Sequence, residues 1–473
     1  MRFQSALLAI LVAAPALAAT RTWTGTTDGN WVTPTNWSDA APVAGDDLVF
    51  PASGLNQNNT NNFPAGTSFN SITVSGGAYT LNGNAITLGV GGITTITPIG
   101  CCVPLIALPI TLVANQTWNL GRANIGATNL NGFALTIAPG SDTIWSGPIS
   151  GAGSITLNGS VVNGPVRLNL TGMNTTIAPL TVNSSFVIVM GTYLGPITAN
   201  ANGLGSLGLA TGATAGPITI NEGGFDSGIG PSFGTALTGS LSLNGGFTFF
   251  EELIAGVSDF NKTSVTGSVT INNAFLHLEN SSTVPPGTTF TIIDNDGSDP
   301  VVGTFAALPE GGNITARGLS IPPQPQNYTI SYRGGTGNDV VLIAQAVATV
   351  LSTTTLTSSM NPSVQGQAVT LTATITPATT TGTVTFFWHS AAGVLNNLGT
   401  VSPNASGVAT HTMASLPVGS NTIFVRYSGG GVIAGSGAGI QQEVTAQIPA
   451  LNARGVALLA IALAVTGALL IKS

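Results

Sequence analysis

Charge is what this sequence has least of: 10 basic and 17 acidic side chains are spread over 473 residues, and the net charge is −7. So few cations exclude an electrostatic grip on nucleic acid, which is built from several phosphate contacts at once. Histidine (3) and cysteine (2) are nearly absent, which leaves little for a metal cluster or a disulfide framework. Long apolar runs are missing between the two ends. Mean hydropathy is positive, yet the apolar residues there come in short stretches broken by Gly, Asn and Thr, never as a span of about 18. Glycine is abundant, at 62 residues, with 27 prolines. A chain punctuated this often by turn formers favours short strands, and its length allows two or three domains.

The ends read as addresses. Met1-Arg2-Phe3, an apolar stretch over 6–14, Pro15 and Ala16-Leu17-Ala18 have the order of a basic start, a hydrophobic region and a small-residue cleavage site, so residues 1–18 are expected to be a secretory signal. Residues 455–471 are uncharged and lie between Arg454 and Lys472. They are just long enough for a helix across a bilayer core of about 30 Å. Before them stands Ile448-Pro449-Ala450-Leu451-Asn452. This tail, 447–473, resembles the bacterial IPTL-CTERM sorting segment, with Ala450 where that family has Thr, Arg454 where it has Trp, and Lys472 alone at the basic end. The resemblance implies a membrane-associated helix handled by a sorting enzyme near Pro449; transient sorting and permanent anchoring both remain open.

Between the ends a pattern returns: Gly195-Pro196-Ile197-Thr198-Ala199-Asn200, Gly216-Pro217-Ile218-Thr219-Ile220-Asn221, Gly239-Ser240-Leu241-Ser242-Leu243-Asn244 and Gly267-Ser268-Val269-Thr270-Ile271-Asn272, at spacings of 21, 23 and 28. Gly153-Ser154-Ile155-Thr156-Leu157-Asn158 lies 42 residues before the first, which reads as two steps of 21. A recurrence of 20–50 residues indicates a solenoid, whose units bury their apolar faces only by stacking. The period-2 alternation within each unit indicates strands. The expected fold is all-β, a right-handed parallel β-helix over 19–345, with Asn at corners where it tolerates left-handed backbone. Coils of roughly 20–25 residues give about 13 to 16 turns, a stack of roughly 60–80 Å at about 4.8 Å per turn.

Trp23-Thr24-Gly25-Thr26-Thr27-Asp28-Gly29-Asn30-Trp31, Asn36-Trp37-Ser38 and Gly45-Asp46-Asp47-Leu48-Val49-Phe50 resemble the opening of bacterial autotransporter-type β-strand-repeat proteins. Gly303-Thr304-Phe305, Leu308-Pro309-Glu310-Gly311, Ile330-Ser331-Tyr332 and Gly334-Gly335-Thr336-Gly337-Asn338-Asp339-Val340-Val341-Leu342 resemble their close. The resemblance implies a surface-exposed β-helical stalk. The about 130 residues that follow read otherwise than as the β-barrel of that family.

After a linker at 346–354 the rhythm changes. Runs at 368–376, 382–388, 407–413, 420–428 and 440–445 are spaced as in an Ig-like β-sandwich, expected over 355–446. Asn361-Pro362-Ser363-Val364-Gln365-Gly366-Gln367, Gly382-Thr383-Val384-Thr385-Phe386 and Leu416-Pro417-Val418-Gly419 before Val425-Arg426-Tyr427-Ser428-Gly429 resemble the bacterial Ig-like repeats of surface proteins. This domain has no cysteine, so Trp388 is expected to pack in its core without a disulfide, with His389 and His411 on its strands.

Candidate chemistry is sparse. Cys101 and Cys102 are adjacent in an apolar stretch and read as two buried thiols, a strained vicinal disulfide being the alternative. Asp294-Asn295-Asp296-Gly297-Ser298-Asp299 begins like a calcium loop, but its twelfth position is Phe305 where a bidentate Glu is needed. An acidic turn is the expectation there, and residues 334–342 fit a calcium nonapeptide pattern only once. Residues 48–221 hold Arg122, Asp142 and Arg167 as their only charges, too few for a carboxylate pair on facing strands. Glu251, Glu252, Asp259, Lys262, His277 and Glu279 form the one denser group; Glu251 and His277, 26 apart, are close to one coil step and expected to touch. Trp23, Trp31 and Trp37 are read as a seal on the open first coil, the alternative being a sugar-binding platform.

The expectation is a non-enzymatic, exported cell-surface protein with a structural or adhesin-like role and no catalytic, metal or cofactor residue. Its expected partners are the membrane, through the C-terminal helix, a sorting enzyme, and an extracellular glycan or matrix. The alternative is a polysaccharide-binding or polysaccharide-cleaving β-helix, to be distinguished by whether Glu251, Glu252 and His277 line one groove.

Overall fold

The computed structural model describes residues 18–447 apart from 97–101, 160–166, 175, 184, 201–205, 230–233, 246–247, 320–324, 348–349, 390–394 and 431. The expected secretory signal, up to its last residue, and the tail from 448 onward lie outside the described residues, as does Cys101. Among the described residues no helix is long and apolar enough to cross a membrane. The chain forms two compact units, dividing at Leu351 and Ser352.

The first unit is a parallel β-solenoid in which one turn supplies three strands. The turn of Leu180–Val182, Phe186–Val189 and Thr192–Tyr193 is representative; each strand pairs in parallel with its counterpart one turn on, at Ile197–Asn200, Ser206–Ala210 and Thr214–Ala215. Alternation explains the geometry. Leu180, Val182, Ile197, Ala199, Ile218 and Ile220 are buried in the lumen while the residues between them face outward, because successive strand side chains point to opposite faces.

The recurring motif sits on the first of the three faces, and its spacings are the coil steps: Ile197 pairs with Ile218, Ile218 with Leu241, and Leu241 with Val269. The interval of 42 is two coils as expected, but unequal ones, Ile155 to Leu180 and Leu180 to Ile197. The middle copy departs from the motif in that Ala178-Pro179 replaces its Gly-Pro. Proline is tolerated at the start of these strands because its missing N–H is not needed there; the carbonyls of Pro196 and Pro217 accept from Leu180 and Ile197 of the preceding coils. Glycine marks corners where coils touch backbone to backbone. A Cβ on Gly191 would lie 2.6 Å from the Gly172 carbonyl oxygen, and one on Gly172 the same distance from that of Gly147.

The motif asparagines behave differently from expectation. Among the described residues the non-glycine positions with left-handed backbone are Asn56, Asn131, Asn273 and Ala307, so asparagine does take such corners, but not at the recurring motif's own positions. Instead Asn158, Asn183, Asn200, Asn221 and Asn244 form a ladder, each amide nitrogen donating to the side-chain oxygen one coil earlier (2.8, 3.4, 2.7 and 2.7 Å). Beside it Thr117, Thr136, Thr156, Thr181, Thr198, Thr219, Ser242 and Thr270 stand in unbroken register. A solenoid gains stability from neighbouring units, and these side chains add cross-strand pairs of roughly 0.2–1 kcal/mol each.

The two ends of the stack are closed differently. Trp23, Trp31 and Trp37 are buried against Phe50 and Phe69, with Trp23 and Trp37 edge to face at 5.1 Å. Their indole N–H groups donate to the Leu55 carbonyl, the Asn59 side chain and the Trp31 carbonyl. At the other end parallel pairing stops. The β-helix expected through 345 gives way to an antiparallel closure, in which Asp339–Val347 pairs with both Thr289–Asn295 and Gln326–Gly334, and the latter with Asn313–Gly318. Gln326 is fully buried there and bonds the backbone of Val284 and Gln345.

The second unit is a two-sheet sandwich. Thr353–Ser358, Val369–Thr376 and Val408–Met413 make one sheet; Ser363–Val364, Ser436–Thr445, Gly419–Tyr427, Val384–His389 and Leu395–Val401 make the other. Its core includes Leu371, Phe386, Ile423 and Val425. Trp388, expected in that core, is half-buried, and its indole donates to Asn421 at 3.1 Å. Phe386, on the same face of the strand, is fully buried there, while Phe387 points to the other face and stacks on Phe424.

Candidate functional site

The densest group of ionisable side chains lies on the second face. Ile218–Ile229 begins on the first face and runs onto the second, where Thr248–Ile254 and Phe275–Asn280 stack on it. Asp226 stands opposite Glu251, and Glu251 opposite His277, so the expected Glu251–His277 neighbourhood is present. His277 Nε2 is 4.0 Å from Glu279, whose other partner is Arg317 at 3.7 Å.

Glu252 does not join them. The pleat turns it into the lumen, where it is 3% exposed and neither carboxyl oxygen meets a donor at hydrogen-bonding geometry. Ser227 and Thr263, both fully buried, are joined by a 2.7 Å hydrogen bond. Burial, and then the charge of Asp226, hold the Glu252 carboxyl well above the ordinary range against the opposing influence of Ser227. Burial, followed by the Glu251 charge, also raises Asp226, to about 7, despite the backbone N–H of Ser227. The condition that Glu251, Glu252 and His277 line one groove is therefore not met.

Asp226 joins the group through a register step of 25, shorter than the 28 between the neighbouring motif copies, so motif spacing alone does not bring it beside Glu251. The dipeptides Phe225-Asp226 and Phe250-Glu251, with Phe225 opposite Phe250, carry the signal that would have revealed it. Of the remaining members, Asp259 shapes a tight turn with Ala255 and Gly256. Lys262 lies on the third face, 2.8 Å from Asp294.

That pairing bears on the acidic turn at 294–299. Asp294 also accepts from Ser264, and the loop carbonyls a cation would use are taken by protein. The Asn338 amide donates to the carbonyls of Asn295, Asp296 and Asp299, and Asn295 donates to that of Asp299. Asp339 accepts the Asn295 N–H at 2.9 Å; burial raises its carboxyl, with the Asn295 N–H opposing. Residues 334–342 form the hairpin that delivers Asn338. Among the described residues no group of three or more His, Cys, Asp or Glu is arranged to hold a metal.

The remaining candidates are structural. Cys102 is half-buried and disulfide-bonded, which corrects the expectation of two buried thiols; the only other cysteine in the sequence is Cys101. The three tryptophans present no exposed ring to a ligand, since each is 4% exposed or less. Asp46 is held below the usual carboxylate range: burial pushes it up, and the Val43 N–H, the Arg21 guanidinium at 2.8 Å and the Ala19 N–H outweigh that. His411 packs on Phe386 with ring centres 5.6 Å apart.

Comparison with known proteins places the sandwich. Residues 356–447 match the family of bacterial Ig-like domains (group 3). No curated protein and no solved structure matches the chain.

Proposed function

We propose that this is an exported bacterial cell-surface protein whose role is structural or adhesin-like, a β-solenoid of the autotransporter-type strand-repeat kind followed by a bacterial Ig-like module and displayed through its C-terminal sorting or membrane segment. The observation that carries the reading is the joining, in one chain, of a β-solenoid closed at both ends to a module of the bacterial Ig-like family, a family typical of extracellular proteins. The ladder asparagines of the solenoid tie coil to coil. The test is cell fractionation and surface labelling. The full chain stays with the cells and is labelled by an impermeant reagent, while a chain ending at Ala446 is free in the medium; equal release of both removes the anchoring.

A second reading, a polysaccharide-cleaving β-helix, draws on one observation: Asp226, held near neutrality, faces Glu251 across one coil step, an acid beside a base. Turnover of a polysaccharide that is lost in Glu251→Gln would establish it in place of the first.

A further inference from the structure

The first face of the solenoid carries two parallel columns of polar side chains. Hydroxyls run in register from Thr117 to Thr270, and asparagines from Asn158 to Asn244 stand two residues further along each strand. Strand geometry sets both spacings, about 4.8 Å from coil to coil and about 6.7 Å between columns. Over seven coil steps the hydroxyl column extends about 34 Å.

Three properties of this array go together. The Thr and Asn columns themselves hold no charge and no aromatic ring, with Glu222, the register partner of Asn200 beyond a bulge, as the carboxylate at their edge. Its side chains are fixed in advance: threonine is stiff at χ1, and each ladder asparagine is clamped by its neighbour. It also keeps hydrogen-bonding capacity. Among the described residues the hydroxyls of Thr156, Thr181, Thr198 and Thr219 have no protein partner, and an asparagine with one bond to each side retains a donor and an acceptor. A flexible glycan is held by aromatic stacking and a mineral by charge, and this face offers neither. A rigid neutral grid of donors and acceptors complements a partner that is itself a neutral hydrogen-bonded lattice of matching dimensions. Preorganisation removes the ordering cost that binding such a lattice otherwise carries.

We propose that the Thr/Asn face of the solenoid binds ice. The oxygens on a prism face of hexagonal ice lie on a rectangle of similar dimensions, so water ordered over the hydroxyl and amide rows merges with the crystal without rearrangement. This goes beyond the surface role proposed above and stands whether or not the tail anchors the chain.

The test is partition of the full chain into slowly growing ice, with serum albumin as the excluded carrier, together with inhibition of ice recrystallisation. Wild type is expected in the ice at several times the carrier's enrichment. Thr198→Lys with Thr219→Lys, adjacent in the hydroxyl column, is expected to fall to the carrier level. Thr192→Lys with Thr214→Lys, neighbours on the third face and offset by one coil, is expected to match wild type. Circular dichroism of each variant checks the fold, and Thr156→Lys, at a separate coil, supplies a second disruption if the first pair does not fold. Exclusion of the wild type from ice, equal partition of the two double variants, or retention on crystalline cellulose with no ice enrichment would each overturn the proposal.

Discussion

Replacing Asp226 by asparagine removes one member of a stacked set of carboxyls while keeping its shape. Asp226 faces Glu251 across a coil step and adds to the field on Glu252 beneath it. Among the described residues Lys262 is paired with Asp294 and Arg317 with Glu279. The folded chain holds the Asp226 proton up to about 7, against 3.8 for the free side chain. A group whose folded value is raised contributes stability that is complete below its unfolded value and disappears as pH climbs through the folded one. The displacement corresponds to at most about 4 kcal/mol at 1.36 kcal/mol per pKa step. Wild type should therefore lose local stability through this group between pH 4 and 7, whereas Asp226→Asn should lose only what the buried Glu252 carboxyl still contributes; the two should agree near pH 3.5 and diverge by up to about 4 kcal/mol at pH 8. Because solenoids open locally, the suitable assay is amide hydrogen exchange over Ile218–Ile229 and Thr248–Ile254. Taking the ratio of variant to wild-type rates at each pH cancels the intrinsic rate. A ratio independent of pH from 4 to 8 would refute the reasoning.

Other perturbations probe separate parts of the molecule. Trp31→Ala opens the N-terminal seal and should cost about 3–5 kcal/mol, read as a lowered unfolding midpoint with early loss of protection in the first coils. Asp46→Asn should destabilise at pH 7 by about 1–3 kcal/mol, and the deficit should shrink as pH falls below 3.8, because a lowered carboxyl contributes stability only where it is ionised; acid titration of both proteins by circular dichroism checks the sign. Millimolar calcium should leave the melting temperature unchanged, since the Asn338 amide already serves the 294–299 carbonyls. A saturable rise abolished by Asp294→Ala would contradict this.

The solenoid was legible because its lumen imposes a period: an apolar residue must return to the same place each turn, and the motif spacings around residues 197–269 are those returns. Coils with a substituted corner, such as Ala178-Pro179, were harder to see because backbone proximity, not composition, selects glycine there. The acidic group was legible only in part. Alternation tells which of Glu251 and Glu252 faces out only once the register is known, and Asp226 becomes their neighbour through a coil shorter than the one beside it. The antiparallel closure and the disulfide at Cys102 depend on contacts that a local pattern does not encode.

The unequal coils have a mechanical consequence. Tension along the stack loads the hydrogen bonds between coils one row at a time, so the solenoid should yield by shedding turns in succession. Each event would release chain in proportion to that turn's length. The 17-residue step from Leu180 to Ile197 would give about 60 Å and the 28-residue step from Leu241 to Val269 about 100 Å, at about 3.5 Å per residue. The order of extensions in a pulling trace would then report which end gives way first.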